Sequence, residues 1–353
     1  MKKIYTIIAL AAITILGASC NSEWEEEQYE NYISFRSPLD SKGVTNIYVP
    51  YSRKDKEGNY TAGGEGMSNY QLPIIVSGSL TNQQNIMVHV THDPDTLNML
   101  NIARYATRTD LFYKDMGTEE YTFTSYPETQ QIKAGENVGL LPLSFDFRGI
   151  DMTEKWVLPL QIADDSSYGY QSHPRKNYAK AILRIFPFND YSGDYSGALL
   201  TNKVVTGYND KGEPIEPAES ITKSSVRGYV IDEQTIFTYA GMVDEDYTDR
   251  RKYKIKMKFI GDTNGIVEVS CDNKDEIGFE PKAGVTTSFR IVSSMDATRP
   301  YLEHRYVIIS NIDYYFNYMP KEGTEIRFHV KGSITLSRDI NTQIPDDDQA
   351  IEW

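Results

Sequence analysis

The sequence predicts an exported all-β protein in two parts, a β-sandwich carrying one short helix and behind it an antiparallel barrel or sheet. Three observations point there. From Tyr32 onward, short apolar or alternating runs recur between turn residues at the spacing of sandwich strands. Only one stretch carries clear helix signals. Tyrosine, which suits strands and binding surfaces alike, occurs 26 times against 13 Phe and 3 Trp. The chain's 353 residues exceed one typical core and suit two domains.

Lys2 and Lys3 precede an apolar run from Ile4 to Leu16, followed by Gly17, Ala18, Ser19 and Cys20. That run is too short to cross a bilayer as a helix, which takes about 20 apolar residues, so residues 1–19 read as a secretion signal. Small residues before a cysteine resemble a bacterial lipobox, in which Cys20 is acylated and becomes the mature N-terminus. Gly17 stands where the usual leucine would, with Leu16 one place further back, and Gly17 with Ser19 also suits ordinary cleavage. In residues 20–29, Glu23, Trp24, Glu25, Glu26 and Glu27 resemble the acidic signal that carries Bacteroidetes lipoproteins through the outer membrane to face the medium. Plain chemistry makes the same stretch a solvated tether.

The net charge of −14 becomes more negative once Lys2 and Lys3 leave with the signal. Such a chain meets phosphate with repulsion and shows no segregated basic patch, which argues against a nucleic-acid partner. Of two cysteines, an acylated Cys20 leaves Cys271 unpaired, so the exported protein stands without a disulfide.

Strands are expected at 32–35, 47–51, 71–76 and 86–90, with residues 55–68 an exposed loop rich in Gly and charge. Asp93 and Pro94 then supply a capping oxygen and a first-turn proline ahead of Leu97, Leu100 and Tyr105, a helix of about three turns. Strands resume at 121–123, near Ile132, and at 138–147, 156–162 and 178–185. Pro187 with Asn189 and Asp190 ends the last of them.

The opening strand, Asp95-Thr96-Leu97-Asn98 before Ala103-Arg104-Tyr105, the Ala134-Gly135-Glu136 turn, Val157-Leu158-Pro159-Leu160 and Asn177-Tyr178-Ala179 together resemble an immunoglobulin-like domain of unknown function. That domain opens many Bacteroidetes surface lipoproteins, some with a family-18 endo-glycosidase module behind it. The resemblance covers residues 30–187 and implies a place in glycan acquisition, with no catalytic residue assigned. Residues 190–353 are too short for a glycosidase barrel of ~250 residues and carry no convincing amphipathic helix. Tyr229-Val230-Ile231, Thr235 through Gly241 and the hairpins after them are similar to the lipocalin-like second domain of such lipoproteins.

In the first of those hairpins Tyr253, Ile255, Met257 and Phe259 alternate with lysines 252, 254, 256 and 258. A loop of Thr263-Asn264-Gly265 would set Phe259 opposite Val269, Met257 opposite Cys271 and Lys256 opposite Asp272, making Cys271 a small packing residue. In the last hairpin, Tyr306, Ile308, Ile312, Tyr314, Phe316 and Tyr318 are expected inward, facing Ile326, Phe328, Val330, Ile334 and Leu336 beyond a Lys321-Glu322-Gly323 turn. The outward face then holds Asp313, Tyr315 and Asn317 opposite Arg327 and His329. An aromatic ring among a carboxylate, an amide and a guanidinium is what sugar recognition uses, and these five are the candidate ligand-binding residues. A solvated mixed sheet face is the plainer reading.

Other chemistry is weaker. His89 and His92 lie three apart in a strand and point to opposite faces, so they cannot clasp one metal. Asp244-Glu245-Asp246 and Asp346-Asp347-Asp348 could gather calcium or simply hold water. Trp156 sits in an apolar run as core, while Trp24 and Trp353 lie in tails. Asp262-Thr263-Asn264-Gly265 lacks the rest of a calcium loop, and no nucleophile or phosphate motif appears. No cofactor is implied. The expected function is a non-catalytic, surface-anchored lipoprotein that binds a polysaccharide or oligosaccharide beside other glycan-uptake proteins. A structural or protein-docking module is the alternative, and a glycoside hydrolase is third.

Overall fold

The computed structural model describes residues 27–344 apart from 28, 56, 119–122 and 322. Cys20, Trp24, Trp353 and Asp346-Asp347-Asp348 lie outside the described residues, as does most of the acidic tether.

The first part holds two facing sheets. One runs β10 (Gln171–Ser172), β1 (Tyr32–Phe35), β3 (Met67–Val76), β8 (Val138–Asp146), β6 (Thr124–Ser125). The other runs β2 (Thr45–Pro50), β11 (Lys180–Phe188), β9 (Lys155–Ile162), β4 (Ile86–His92), β7 (Thr129–Ile132), with β5 (Tyr113–Asp115) also on β9. Alternation in β3 and β8 sends Leu72, Ile74, Leu141, Leu143 and Phe145 into the core, where they meet Val88, Val90, Leu158, Leu160, Leu183 and Ile185. Helix α1 (Pro94–Tyr105) starts as expected, with the Asp93 carboxylate accepting from Thr96 N at 3.2 Å. A second helix, α2 (Lys176–Ala179), is a single turn before β11 that the apolar run concealed.

Two boundaries differ from expectation. Pro187 does not end its strand: it pairs in parallel with Val49, and β11 continues to Phe188. β9 pairs β11 only as far as Arg184, so the proline's missing N–H falls where no ladder bond is needed. The strand expected at 121–123 falls partly outside the described residues, and pairing begins at Thr124.

Behind Asn189, β12 (Gly193–Ser196), β17 (Ser225–Val230), β18 (Thr235–Tyr239), β19 (Lys254–Gly261), β20 (Asn264–Cys271), β22 (Ser288–Met295), β23 (Leu302–Lys321) and β24 (Thr324–Asn341) form an antiparallel meander. β24 pairs with both β23 and β12, so among the described residues eight strands close into a barrel. The fold is thus all-β in two domains, closed rather than open in the second. The barrel interior is packed by Tyr195, Ile236, Met257, Phe259, Phe289, Phe316 and Val330. At one end Tyr191 stacks on Phe259 with ring centres 3.9 Å apart, and Arg338 donates to the carbonyls of Asn189 and Ser192. The connection between the domains therefore plugs the barrel.

The first of the two hairpins corrects its expected register, and the last corrects the expected alternation over part of its length. Phe259 faces Val267, Met257 faces Val269 and Ile255 faces Cys271, each partner two residues from its expected place. Both registers put the same side chains inward, so the hydrophobic pattern alone did not separate them. The tight turn at Gly261 did: its φ is +126°, and a Cβ there or on the facing Gly265 would strike backbone across the turn. Lys256 still reaches Asp272, diagonally, at 2.7 Å. Cys271 is buried as expected, and burial pushes its thiol up.

In β23 a bulge between Ile309 and Ile312, with Asn311 at φ +57°, reverses the alternation. Before it Val307 and Ile309 are buried, whereas Tyr306 and Ile308, expected inward, are only half-buried. Beyond it Ile312, Tyr314 and Phe316 are buried as the sequence implied.

Part of the outer face of β17–β19, around Tyr229, Phe237 and Tyr239, is buried against the first domain. Tyr229 and Phe237 stack with centres 5.0 Å apart beside Phe186 and Met152. Around them lie Arg184–Glu245 at 2.5 Å, Lys155–Asp246 at 2.5 Å, Lys254–Asp151 at 3.2 Å and Arg251–Glu154. Arg250, 3% exposed, donates to the carbonyls of Thr153 at 2.7 Å and Asp110 at 3.0 Å. Glu245 and Asp246, read as one possible calcium loop, are spent on these cations.

Candidate functional site

Beyond the bulge, outward positions of β23 and β24 fall opposite each other: Asp313 by Lys331, Tyr315 by His329, Asn317 by Arg327. All five sequence-selected residues therefore meet on one face. The face is covered, however. Tyr315 is 7% exposed and His329 8%, because a short strand, β21 (Glu280–Pro281), pairs along Tyr315 and Tyr314, and Glu216 reaches over from the segment before β17. Tyr315 and His329 stack with ring centres 4.2 Å apart. The Tyr315 hydroxyl lies 3.1 Å from Lys282 Nζ, a bond that holds that ammonium above its ordinary value. Arg327 donates to Gly278 O at 2.6 Å, Asn317 Oδ1 at 2.9 Å and Glu280 at 2.9 Å. The expectation of a solvated aromatic platform is corrected here: the strands that cover it have too little apolar patterning to announce themselves.

Asn317 also donates to Glu325, and Glu325 belongs to an open groove of about 660 Å³ at the hairpin end. Its walls combine Tyr247, Met319 and Pro320 with Thr248, Asp249, Lys252, Lys321, Thr324 and Glu325. Tyr247 is fixed there by donating to Met319 O at 2.7 Å and by ring packing on Tyr253 and Tyr318, centres 5.6 and 5.5 Å away. Burial and those two phenols hold its hydroxyl protonated well above the usual tyrosine range. Lys252 is drawn to Glu276 at 2.7 Å, which raises it. Such a volume, with an apolar wall and separated hydrogen-bonding groups, suits a small polar ligand with some C–H surface. Sequence reasoning missed the groove because its residues come from the loop before β19 and from the hairpin end, with no shared periodicity. Tyr247 beside Asp244-Glu245-Asp246 was the available signal.

Elsewhere, His89 stacks on Tyr168 with centres 3.8 Å apart while His92 meets Asp115 at 2.7 Å, so the two face different partners. Among the described residues no cluster of three or more His, Cys, Asp or Glu side chains is placed to hold a metal ion. Trp156 is core, 4% exposed, donating to Asp151 O at 2.9 Å.

Family models match both halves of the chain. A domain of unknown function, DUF4973, matches residues 24–166, and a "-like, C-terminal" domain matches residues 179–335. The chain is 75% identical to an auxiliary nutrient binding protein from Bacteroides thetaiotaomicron, over 92% of this chain and 100% of that one, with a TM-score of 0.86. It is 44% identical to a Bacteroides ovatus protein of unknown function, over 91% and 100% of the two chains, TM-score 0.74. A multidomain protein including DUF1735 from Bacteroides ovatus is 41% identical over the same shares, TM-score 0.74. No curated protein matches.

Proposed function

This chain belongs to the same family as the Bacteroides thetaiotaomicron auxiliary nutrient binding protein, and from that premise we propose that it is a non-catalytic nutrient-binding protein of the cell surface whose ligand is a glycan. The supporting observation is the groove at the hairpin end, about 660 Å³, in which a tyrosine wall faces Asp249, Lys252, Thr324 and Glu325. Sugar rings offer C–H faces to the tyrosine and hydroxyls to the polar groups. The packed barrel interior has no room for a ligand, so binding falls to the outer surface, where this groove lies.

The same reading divides the chain into an immunoglobulin-like domain over residues 30–187 and a lipocalin-like domain over 190–353. It anchors the protein through an acylated Cys20 to the outer membrane, facing the medium beside other glycan-uptake proteins. Cys20→Ala should release the protein from the membrane fraction, and retention there would refute the anchor. For binding, the soluble chain from residue 21 is titrated with plant, host and microbial polysaccharides. Thr324→Trp, which fills the groove, should abolish binding of whichever glycan is taken, and undiminished affinity in a folded Thr324→Trp protein would remove the groove.

A further inference from the structure

We propose that Glu216 stands in for the carboxylate of an acidic sugar, and that the ribbon carrying it lifts from His329 to admit a uronate-bearing oligosaccharide. The inference rests on the glycan reading above but concerns a site separate from the groove.

The ribbon is β14 (Gly207–Tyr208) paired with β15 (Pro214–Ile215). Its backbone bonds close on themselves, Thr206 N to Ile215 O and Asn209 N to Glu213 O, both at 2.9 Å. It adds nothing to the core: Tyr208 is 59% exposed and Ile215 48%. Segments with few buried contacts and exposed backbone bonds open most easily. The side chain that ties it to the barrel is Glu216, whose Oε1 lies 2.5 Å from His329 Nδ1.

On the opposite side of the same imidazole, Asp313 Oδ1 lies 2.6 Å from Nε2. Carboxylates accept and do not donate, so both bonds form when the ring donates from both nitrogens. Asp313 is fixed on the strand beneath, whereas Glu216 arrives on an appendage. The other charged groups around the ring are Lys203 on β13 (Leu200–Val204), opposite His329 in register, Lys331 and Arg327 on β24, Lys282 beyond β21, and Glu280 on β21, whose carboxylate is taken by Arg327 at 2.9 Å. Lys282 feels both Glu216 and Asp313. With Glu216 withdrawn, Nδ1 of His329 is left facing outward beside these side chains. A charge-assisted bond at this point selects a carboxylate over a hydroxyl. Because the whole chain carries −14, its general field repels acids, and selection must come from this local arrangement.

The test uses the soluble chain from residue 21 as wild type, Glu216→Ala and Glu216→Gln, titrated calorimetrically with trigalacturonate and with its uncharged methyl ester. Amide exchange is followed in the ribbon. Both variants should free the ribbon and bind trigalacturonate at least tenfold more tightly than wild type, with no gain for the ester. Equal gain for both sugars, no gain with the ribbon freed, or a ribbon that stays protected without Glu216 would each overturn the inference. None of those outcomes touches the groove, which stands or falls on Thr324→Trp and the polysaccharide panel.

Discussion

The guanidinium of Arg184, midway along β11 in the first domain, lies 2.5 Å from the carboxylate of Glu245 in the second, and their side chains are 6% and 18% exposed. Burial alone would raise the Glu245 carboxyl, but the charge and hydrogen bond of Arg184, with Lys42 and Lys155, overrule it and hold it well below the usual carboxylate range. Removing one partner of such a pair strands the other. Glu245→Gln should therefore cost on the order of 3 kcal/mol in urea unfolding at neutral pH. Because the folded value is depressed, the contribution is full above the unfolded value of about 4.5 and is lost as pH falls below it. The gap between wild type and Glu245→Gln should narrow steadily from pH 5 to pH 3.

Asn311 supplies the left-handed residue of the bulge that reverses β23. Asparagine tolerates that conformation and a β-branched side chain does not. Asn311→Val should lose about 1–2 kcal/mol in thermal unfolding, while Asn311→Gly should stay close to wild type. Equal losses from both would mean that the side chain, and not the backbone, carries this position.

The bulge also marks where the sequence stops being legible. Alternation located Ile312, Tyr314, Phe316, Phe328 and Val330 correctly because they share one uninterrupted stretch. It placed Tyr306 and Ile308 wrongly because a single extra residue inverts every side chain behind it. Likewise parity told that Met257 and Phe259 face inward, but a slip of two residues preserves parity, and only the backbone needs of Gly261 and Gly265 distinguish the registers. The Asp93 cap was readable because its partner, Thr96, is three residues away. Glu216, 113 positions from His329, left no local trace. The cluster's membership could be read from strand spacing, whereas its covering depends on partners distant in sequence.

His304 bridges two carboxylates, Asp339 at Nδ1, 2.7 Å away, and Asp296 at Nε2, 3.0 Å away. The hydrogen bonds to Asp339 and then Asp296 raise its imidazole above the ordinary value. A raised folded value means the contribution to stability is full below the unfolded value of about 6.5 and is lost as pH rises through the folded one. An NMR titration should show His304 deprotonating above pH 6.5, and Asp339→Asn should bring its midpoint back toward that value. An unchanged midpoint in Asp339→Asn would remove Asp339 as the cause.

Tyr315 separates an open platform from a covered one. On a solvated sheet face, Tyr315→Ala would change stability by no more than roughly 0.5 kcal/mol. The ring is instead 7% exposed, stacked on His329 at 4.2 Å and bonded through its hydroxyl to Lys282 at 3.1 Å. Truncating a buried aromatic leaves a cavity and here also strands the Lys282 bond, so Tyr315→Ala should cost about 3 kcal/mol. Tyr315→Phe keeps the ring and loses only the hydroxyl, for roughly 1 kcal/mol. Urea unfolding of the two variants reads the difference. A Tyr315→Ala protein as stable as wild type would mean that β21 and Glu216 do not close over this face in solution, and would restore Tyr315 as an open binding residue.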